Sequence, residues 1–259
     1  MKKLIVGNLK MNLLSPEERE RYLSWLKKEL AGRKKERHTE IVLCPPFVHL
    51  EAFKKWNNRK VRLGAQDMFP ESKGSYTGEI SPVMLKNLSC EYVIIGHSER
   101  RRYFGESNGA INLKIASALK NGLKPILCVG ETREEKESEQ TLSVISNQVK
   151  EALLGVSRAK AEQIVVAYEP VWAIGGDKVP TANEIMEAKL LIRKILVDLF
   201  GKKYAESTPI LYGGSVNTKT VGGVCIDSGM DGVLIGRESL QPHELVKISG
   251  IINDSCVLK

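Results

Sequence analysis

The sequence of 259 residues lacks any hydrophobic run long enough to cross a membrane. A transmembrane helix needs roughly 20 consecutive apolar residues, and the apolar segments here are much shorter. At the N-terminus, Lys2 and Lys3 are followed only by LIVG before the polar Asn8, which is not the pattern of a signal peptide. The sequence therefore predicts a soluble, unprocessed protein with a cytoplasmic location and no membrane partner.

Cysteine is scarce, with five residues at positions 44, 90, 128, 225 and 256. Their number is odd, and none of them form the closely spaced pairs that are typical of metal sites. Three of them lie in or beside apolar segments, which indicates buried, reduced thiols as in cytosolic proteins. We therefore expect neither a disulfide framework nor a bound metal.

Charge of one sign is not concentrated in any long segment, although the net charge is +8 from 39 basic and 31 acidic residues. Basic and acidic side chains alternate at helical spacing, as in PEERERYLSWLKKEL and TREEKESE, which is typical of solvated helix faces. The local basic clusters are GRKKER (32–37) and SERRRYF (98–104). We therefore do not expect nucleic acid as the main partner.

Eight short runs rich in β-branched residues predict strands that are buried on both faces. Helical patterns lie between these runs, for example after the N-cap signal at Ser15, over 109–122, and after the capping box of Thr181 and Glu184. The runs are LIVGNL (4–9), EIVLC (40–44), KVRLGAQ (60–66), EYVIIG (91–96), KPILCVG (124–130), QIVVAYE (163–169), TPILYGG (208–214) and DGVLIG (231–236).

Such alternation fits either a doubly wound open sheet or a closed barrel. Unusual polar or glycine residues lie at or just beyond the C-terminal ends of six runs, and a barrel would bring those ends into one ring. The sequence therefore predicts an α/β fold, a single-domain (β/α)8 TIM barrel with eight parallel strands over residues 1–259. The residues in question are Asn8, Lys10, Gln66, His97, Glu169, Ser215 and Gly236.

Three of these residues suggest acid–base chemistry. Glu169 precedes the apolar PVW, where desolvation of its charged form would suit a general base, although a lone Glu at a strand end often only caps a helix or pairs with a lysine. His97 comes at the expected start of a helix, where the positive helix end favours a neutral ring that donates to a carbonyl. Lys10 is placed to stabilise a developing oxyanion.

Two glycine-containing loops follow the last two runs, at Gly213-Gly214-Ser215 and at Gly236-Arg237. Barrels often bind phosphate at these two loops, through backbone N–H groups that turn toward the anion. A base, a neutral electrophile, a cation and a phosphate cradle together indicate proton transfer beside a carbonyl in a small phosphorylated molecule.

Five motifs resemble, in order and spacing, those of the triosephosphate isomerase family. They are GNLKMN (7–12), IIGHSERR (94–101), AYEPVWAIG (167–175), YGGSV (212–216) and DGVLIG (231–236), and they extend over essentially the whole chain. The resemblance implies interconversion of dihydroxyacetone phosphate and glyceraldehyde 3-phosphate through an enediol(ate), in glycolysis and gluconeogenesis. It implies no cofactor and no metal.

The resemblance also implies roles for individual residues. Glu169 matches the catalytic base, His97 the electrophile, and Lys10 a cation near the substrate. Asn8 matches a side chain that helps to order the substrate, and Glu99 an acidic neighbour of the site. The backbone N–H groups of Gly175, Ser215, Gly236 and Arg237 match the phosphate grip, and PVWAIG the start of a lid that closes over the phosphate.

The segment QDMFPESKGSYTGEIS (66–81) resembles the family's protruding third loop, which enters the partner subunit. It implies a homodimer in which Thr77 lies near the other subunit's site. A loop of 16 residues without a helical pattern is itself a sign of function, although a merely exposed loop stays an alternative.

Three positions depart from the family pattern. Leu9 replaces the usual tryptophan, which we interpret as a packing change. The lid continues as Gly176-Asp177-Lys178-Val179-Pro180, and its extra glycine and proline affect hinge stiffness in opposite directions. Arg237 replaces a glycine in the eighth loop, where its backbone N–H stays available if the loop does not require positive φ.

Two other functions stay open from the sequence. One is a barrel enzyme that isomerises or cleaves a different phosphorylated sugar. The other is a catalytically weak relative that binds nucleic acid through its positive charge. The presence of Asn8, Lys10, His97 and Glu169 together argues against lost catalysis.

Overall fold

The structure is a computed structural model that describes residues 2–31, 37–56, 58–174 and 179–257. Within these ranges, no helix has both the length and the apolar character that a membrane crossing requires.

Eight parallel strands close into a barrel in sequence order, with the first strand paired to the last. The predicted (β/α)8 architecture is therefore confirmed, and the open-sheet alternative is excluded. The strands are β1 (Lys3–Asn8), β2 (Thr39–Cys44), β3 (Val61–Ala65), β4 (Tyr92–Ile95), β5 (Lys124–Val129), β6 (Val165–Tyr168), β7 (Ile210–Tyr212) and β8 (Gly232–Ile235).

Helices follow the strands and cover the outside of the barrel. The α-helices are α1 (Pro16–Ala31), α2 (Leu50–Trp56), α3 (Pro82–Asn87), α4 (Ser98–Phe104), α5 (Asn108–Lys120), α6 (Arg133–Glu137), α7 (Thr141–Ala152), α8 (Arg158–Ala161), α9 (Ala182–Phe200), α10 (Lys202–Ser207) and α11 (Pro242–Ser255). Short 3₁₀ turns occupy Phe47–His49, Val171–Ala173 and Arg237–Leu240, and a π-helical turn occupies Gly222–Asp227.

The predicted helix starts have the expected capping residues. Thr181 and Glu184 form a reciprocal capping box at the start of α9. At α1, the Ser15 hydroxyl accepts a hydrogen bond from the N–H of Glu18, whereas the Glu18 carboxylate accepts from Leu14 N–H at 2.7 Å. The second half of that capping interaction thus lies one residue earlier than in a standard box.

The core has two layers, as the strand pattern predicts. Alternate strand residues fill the barrel interior, including Leu4, Val42, Ile94, Ile126 and Leu211. The residues between them point outward and pack against the helices in a second, larger cluster. Because the interior is filled with side chains, the polar residues at the C-terminal strand ends surround a cavity at one end of the barrel rather than a channel through it.

Candidate active site

A cavity of about 520 Å³ opens at the C-terminal ends of the strands. Its wall brings together residues that are more than 200 positions apart in the sequence. It is lined by Asn8, Lys10, Asn12, His97, Glu169, Ile174, Gly213, Gly214, Ser215, Val216, Asn217, Leu234, Gly236, Arg237, Glu238 and Leu240. Among the described residues, the sequence-predicted site residues thus meet around one space, with the exception of Glu99 and Thr77.

Glu169 directly follows β6 and is almost completely buried, with 2% of its surface exposed. One carboxylate oxygen, Oε2, accepts a hydrogen bond from the backbone N–H of Ser98 at 3.1 Å. The other oxygen, Oε1, lies 3.3 Å from Nε2 of His97. Gly213 approaches so closely that a Cβ at this position would lie 2.7 Å from the Glu169 Cγ. The carboxylate is therefore fixed in position on one side of the cavity.

His97 is buried at the N-terminus of α4, as the sequence predicts. Its Nδ1 accepts a hydrogen bond from the backbone N–H of Glu99 at 3.3 Å. A neutral imidazole that accepts at Nδ1 carries its proton on Nε2. The Nε2–H therefore faces Glu169 and the cavity, and it can donate to a substrate oxygen there.

Lys10 lies two residues beyond β1 and has a left-handed backbone with φ of 52°. Its backbone N–H donates to the Asn8 Oδ1 at 3.0 Å, and its carbonyl accepts from the Gln66 side chain at 2.9 Å. Its ammonium group pairs with Glu99 at 2.6 Å. Asn8 and Glu99 therefore hold the cation at the cavity wall, and Glu99 does so from outside the lining.

The loops after β7 and β8 complete the cavity wall beside Glu169 and Lys10. Ser215, Gly236 and Arg237 line the cavity there, and among described residues no hydrogen bond is donated by their backbone N–H groups. Arg237 has no positive φ, so its side chain is compatible with this loop. Unpaired N–H groups on a cavity wall are suited to bind an anion. Gly175, the fourth predicted member of this group, lies outside the described residues.

Two neighbours of Glu169 and its lid were not singled out as site residues from the sequence. Glu131 is fully buried beyond β5, and its Oε1 accepts from Tyr168 OH at 3.1 Å and from Trp172 Nε1 at 2.7 Å. Like Glu169, Glu131 is a carboxylate that follows the end of a barrel strand, and this position in the sequence could have identified it as a candidate site residue. Cys128 is buried, and burial together with the nearby Glu169 charge raises its thiol pKa well above the usual value.

No group of three or more histidine, cysteine, aspartate or glutamate side chains in the described part of the chain is arranged to hold a metal ion.

A model of the triosephosphate isomerase family matches residues 3–252. The chain belongs to the triosephosphate isomerase family. Among curated relatives, the triosephosphate isomerase of Thermoanaerobacter pseudethanolicus is 45% identical over 246 residues, which cover 95% of this chain and 97% of that protein. The corresponding protein of Dehalococcoides mccartyi is 47% identical, with 95% and 94% covered. That of Clostridium tetani is 43% identical, with 97% and 96% covered.

The positions that depart from the triosephosphate isomerase pattern differ in their burial and in their location in the fold. Leu9 is fully buried in the outer core, where its side chain packs against other apolar residues. Pro180 is buried and Val179 is 37% exposed just before α9, whereas Gly176 and Asp177 lie outside the described residues. Thr77 is exposed on the long loop after β3 and does not line the cavity of its own chain.

Proposed function

We propose that this chain is an active triosephosphate isomerase, which interconverts dihydroxyacetone phosphate and D-glyceraldehyde 3-phosphate in glycolysis and gluconeogenesis. The observation that carries the proposal is the 3.3 Å separation between Glu169 Oε1 and His97 Nε2, in the same cavity as backbone N–H groups that donate no hydrogen bond to a described residue. Two groups so close can reach neighbouring carbon and oxygen atoms of one small substrate.

In this proposal, Glu169 is the base that removes a proton from the carbon beside the carbonyl and returns it to the adjacent carbon. The Ser98 N–H, 3.1 Å from Oε2, orients the carboxylate while the other oxygen faces the reacting carbon.

His97 donates its Nε2 proton to the carbonyl oxygen as negative charge develops there, which gives an enediol(ate). The hydrogen bond from Glu99 N–H to Nδ1 supports this role, because it keeps the proton on the nitrogen that faces the cavity. Lys10 adds a positive charge beside the same oxygens, and Asn8 positions Lys10 through the bond to its backbone.

The phosphate would bind to the backbone N–H groups of Ser215, Gly236 and Arg237, with Gly175 as the contribution of the lid. Binding at a fixed distance from Glu169 and His97 would orient the three-carbon chain between them. The Ser215 hydroxyl donates to Ala173 O at 3.0 Å, which links this loop to the start of the lid. Closure would exclude water, from which the enediolate phosphate must be protected.

A coupled assay in both directions, with methylglyoxal measured alongside, tests this proposal. Glu169→Gln keeps the volume of the side chain and removes the base, so we expect kcat to fall by at least ~10²–10⁴-fold. Glu162→Gln is the matched control, because Glu162 is exposed on the outside of the barrel and should leave turnover unchanged. Near-parental turnover of Glu169→Gln would refute the assignment of the base.

A panel of triose, tetrose and pentose phosphates tests the substrate. In this proposal, closure of the lid takes up part of the cavity of about 520 Å³ and leaves less room for the substrate. We therefore expect only the triose phosphates to react efficiently. Equal turnover of a pentose phosphate would instead favour the enzyme for a longer sugar. Methylglyoxal release during turnover would indicate that the enediolate intermediate escapes, and we would attribute this loss to the unusual lid residues Gly176 and Asp177.

We also propose a homodimer, which several exposed apolar side chains near the loops after β1, β2 and β3 support. Met11, Leu14 and Val48 are 88%, 82% and 83% exposed, and Met84 is 52% exposed at the start of α3. Apolar groups so clustered in adjacent loops are typical of a protein interface. Thr77, on the long loop after β3, would lie near the partner's site.

Sedimentation equilibrium tests the dimer. Val48→Asp should shift the protein toward monomers, because it places a charge in the contact. Leu154→Asp is the control, since Leu154 is 74% exposed on the far side of the barrel, beyond α7. A monomeric parent protein, or an equal effect of both variants, would contradict the proposed interface.

We further propose that residues 1–259 form one catalytic domain without a metal or cofactor, located in the cytoplasm. Closure of β1 onto β8 and the buried, free thiols support the domain and the location. Full activity after dialysis against EDTA would be expected, and its loss, restored by added metal, would contradict the proposal.

A further inference from the structure

Arg237 is a cationic residue of the cavity wall whose side-chain charge the proposed chemistry leaves unused. Its backbone N–H belongs to the proposed phosphate cradle, and the residue as a whole is exposed while it lines the same cavity. Among the described residues, no carboxylate, carbonyl or aromatic ring pairs with this guanidinium. Because this cationic side chain has no described partner, a stabilising ion pair does not explain its presence beside the proposed anion site.

The charge balance of the cavity shows why this cation matters. Lys10, the other cation of the lining, is already paired with Glu99 at 2.6 Å. The lining also carries the carboxylates of Glu169 and Glu238, and neither forms an ion pair with a described lysine or arginine, although the Arg101 charge acts on Glu169 from outside the lining. Without Arg237, a doubly charged phosphate would therefore meet two carboxylates and a single, already paired lysine on the cavity wall, and the repulsion would oppose its approach.

The position of Arg237 fits a contact with the outer oxygens of a phosphate. It directly follows Gly236, whose added Cβ would lie 3.2 Å from the Lys10 Cε, so the two cations approach the cavity from neighbouring loops. A guanidinium presents several donors in a fixed plane, which matches two phosphate oxygens at once. Its exposure lets it meet the anion before the anion reaches the backbone N–H groups.

We propose that the side chain of Arg237 attracts and holds the phosphate dianion at the mouth of the cavity, as a specificity-determining residue that selects doubly charged ligands. This inference rests on the proposed function for the identity of the substrate, but not for the binding of phosphate itself. Because the group is exposed, its effect should be moderate and strongly screened by salt.

Inorganic phosphate is the probe that tests the inference apart from catalysis. We expect Arg237→Gln to weaken phosphate binding, measured by calorimetry at low salt, by about two- to fivefold, the range of an exposed ion pair. The difference from the parent should shrink as NaCl rises to 0.3 M, and Arg237→Lys should restore part of the affinity. In turnover, KM should rise and lose most of its salt dependence, while kcat stays within about twofold.

Lys219→Gln is the matched control, because it removes the same charge from an exposed position near the seventh loop but outside the cavity lining. Equal phosphate affinities of the parent, Arg237→Gln and Lys219→Gln would overturn the inference, as would equal losses in both variants. If the parent bound phosphate through Arg237 but did not isomerise triose phosphates, the proposed function would fail and the inference would stand. If isomerisation were normal and the phosphate affinities were equal, the proposed function would stand and the inference about Arg237 would fail.

Discussion

Replacement of Gly213 by alanine should damage catalysis much more than folding. The new Cβ would lie 2.7 Å from Cγ of Glu169 and 3.4 Å from its Oε1. Ordinary contacts begin near 3.4 Å, so the Cγ has to move by about 0.7 Å. The backbone of Gly213 is held by its N–H bond to Tyr168 O at 2.8 Å, and therefore the carboxylate side chain is the part that yields.

The size of the effect follows from this displacement. A misplacement of about 1 Å at a reacting group costs on the order of 10²-fold in rate, so we expect kcat/KM to fall by about 10- to 100-fold. The loss should appear in kcat, because the backbone bond of Gly213 is kept and the N–H group proposed to bind phosphate in this loop belongs to Ser215, two residues further on. Stability should fall by only about 1 kcal/mol, at the low end for overpacking, since Glu169 can adopt another rotamer.

Steady-state kinetics, inhibition by inorganic phosphate and urea unfolding together measure these three quantities. Gly222→Ala is the control, because an added Cβ at Gly222 meets nothing within 4 Å and its φ is not in the left-handed region. A folded Gly213→Ala variant with parental kcat would refute the reasoning, since Glu169 would then react from a position other than the one seen here. A raised phosphate inhibition constant would show instead that the loop itself has moved.

Two further predictions concern stability. Burial raises the thiol pKa of Cys90 and Cys225 from 9.0 to about 12, so between these pH values the folded protein retains protons that the unfolded chain loses. The free energy of unfolding should therefore fall as pH rises from about 9 to 12. At pH 8, only Cys256 should react rapidly with a thiol reagent, because the other four thiols are buried. Asp231→Ala should destabilise the fold by about 2–4 kcal/mol in urea unfolding, because the mostly buried Arg193, 3.1 Å away, loses its counter-charge.

Each of these two stability predictions can be contradicted by a specific result. Rapid reaction of two or more thiols in the native protein, or an unfolding free energy that is flat above pH 9, would contradict the first. For the second, Glu51→Ala removes an exposed partner of Lys55 at 2.8 Å and should change stability by less than about 0.5 kcal/mol. Equal effects of the two variants would show that the Asp231 ion pairs do not contribute to stability. Protein concentration has to be held fixed, because association also stabilises.

The sequence predicts the eight strands to within two residues at each end, since strands buried on both faces form short, continuous apolar runs with sharp boundaries. The same property locates the site, because the first polar residue after such a run lies at the end of the barrel, as Glu169 and His97 do. The short helices α8 and α10 carry too few turns for a periodic signal and were not predicted, whereas the charge pattern of TREEKESE does contain α6.

Contacts between distant residues are beyond what a pattern can predict. The bond from Ser98 N–H to Glu169 joins residues 71 apart, and nothing in either motif specifies it. The role of Glu131 is similar, since its two donors, Tyr168 and Trp172, belong to the strand and turn on either side of the base. Residue type and spacing predict which groups meet at the cavity, whereas only the packed structure determines which atoms hold them.

Lys10 shows why this distinction matters for function. A left-handed backbone is unfavourable for lysine by of order 1 kcal/mol or more, and the sequence has no glycine here to indicate the turn. Asn8 and Gln66 each bond to the backbone of Lys10, at 3.0 and 2.9 Å, and so offset that cost. Both are polar residues at strand ends that would otherwise be interpreted as ligands for substrate. Their bonds hold a strained residue so that its ammonium group reaches the cavity, and a glycine in this turn would relieve the strain but supply no cation.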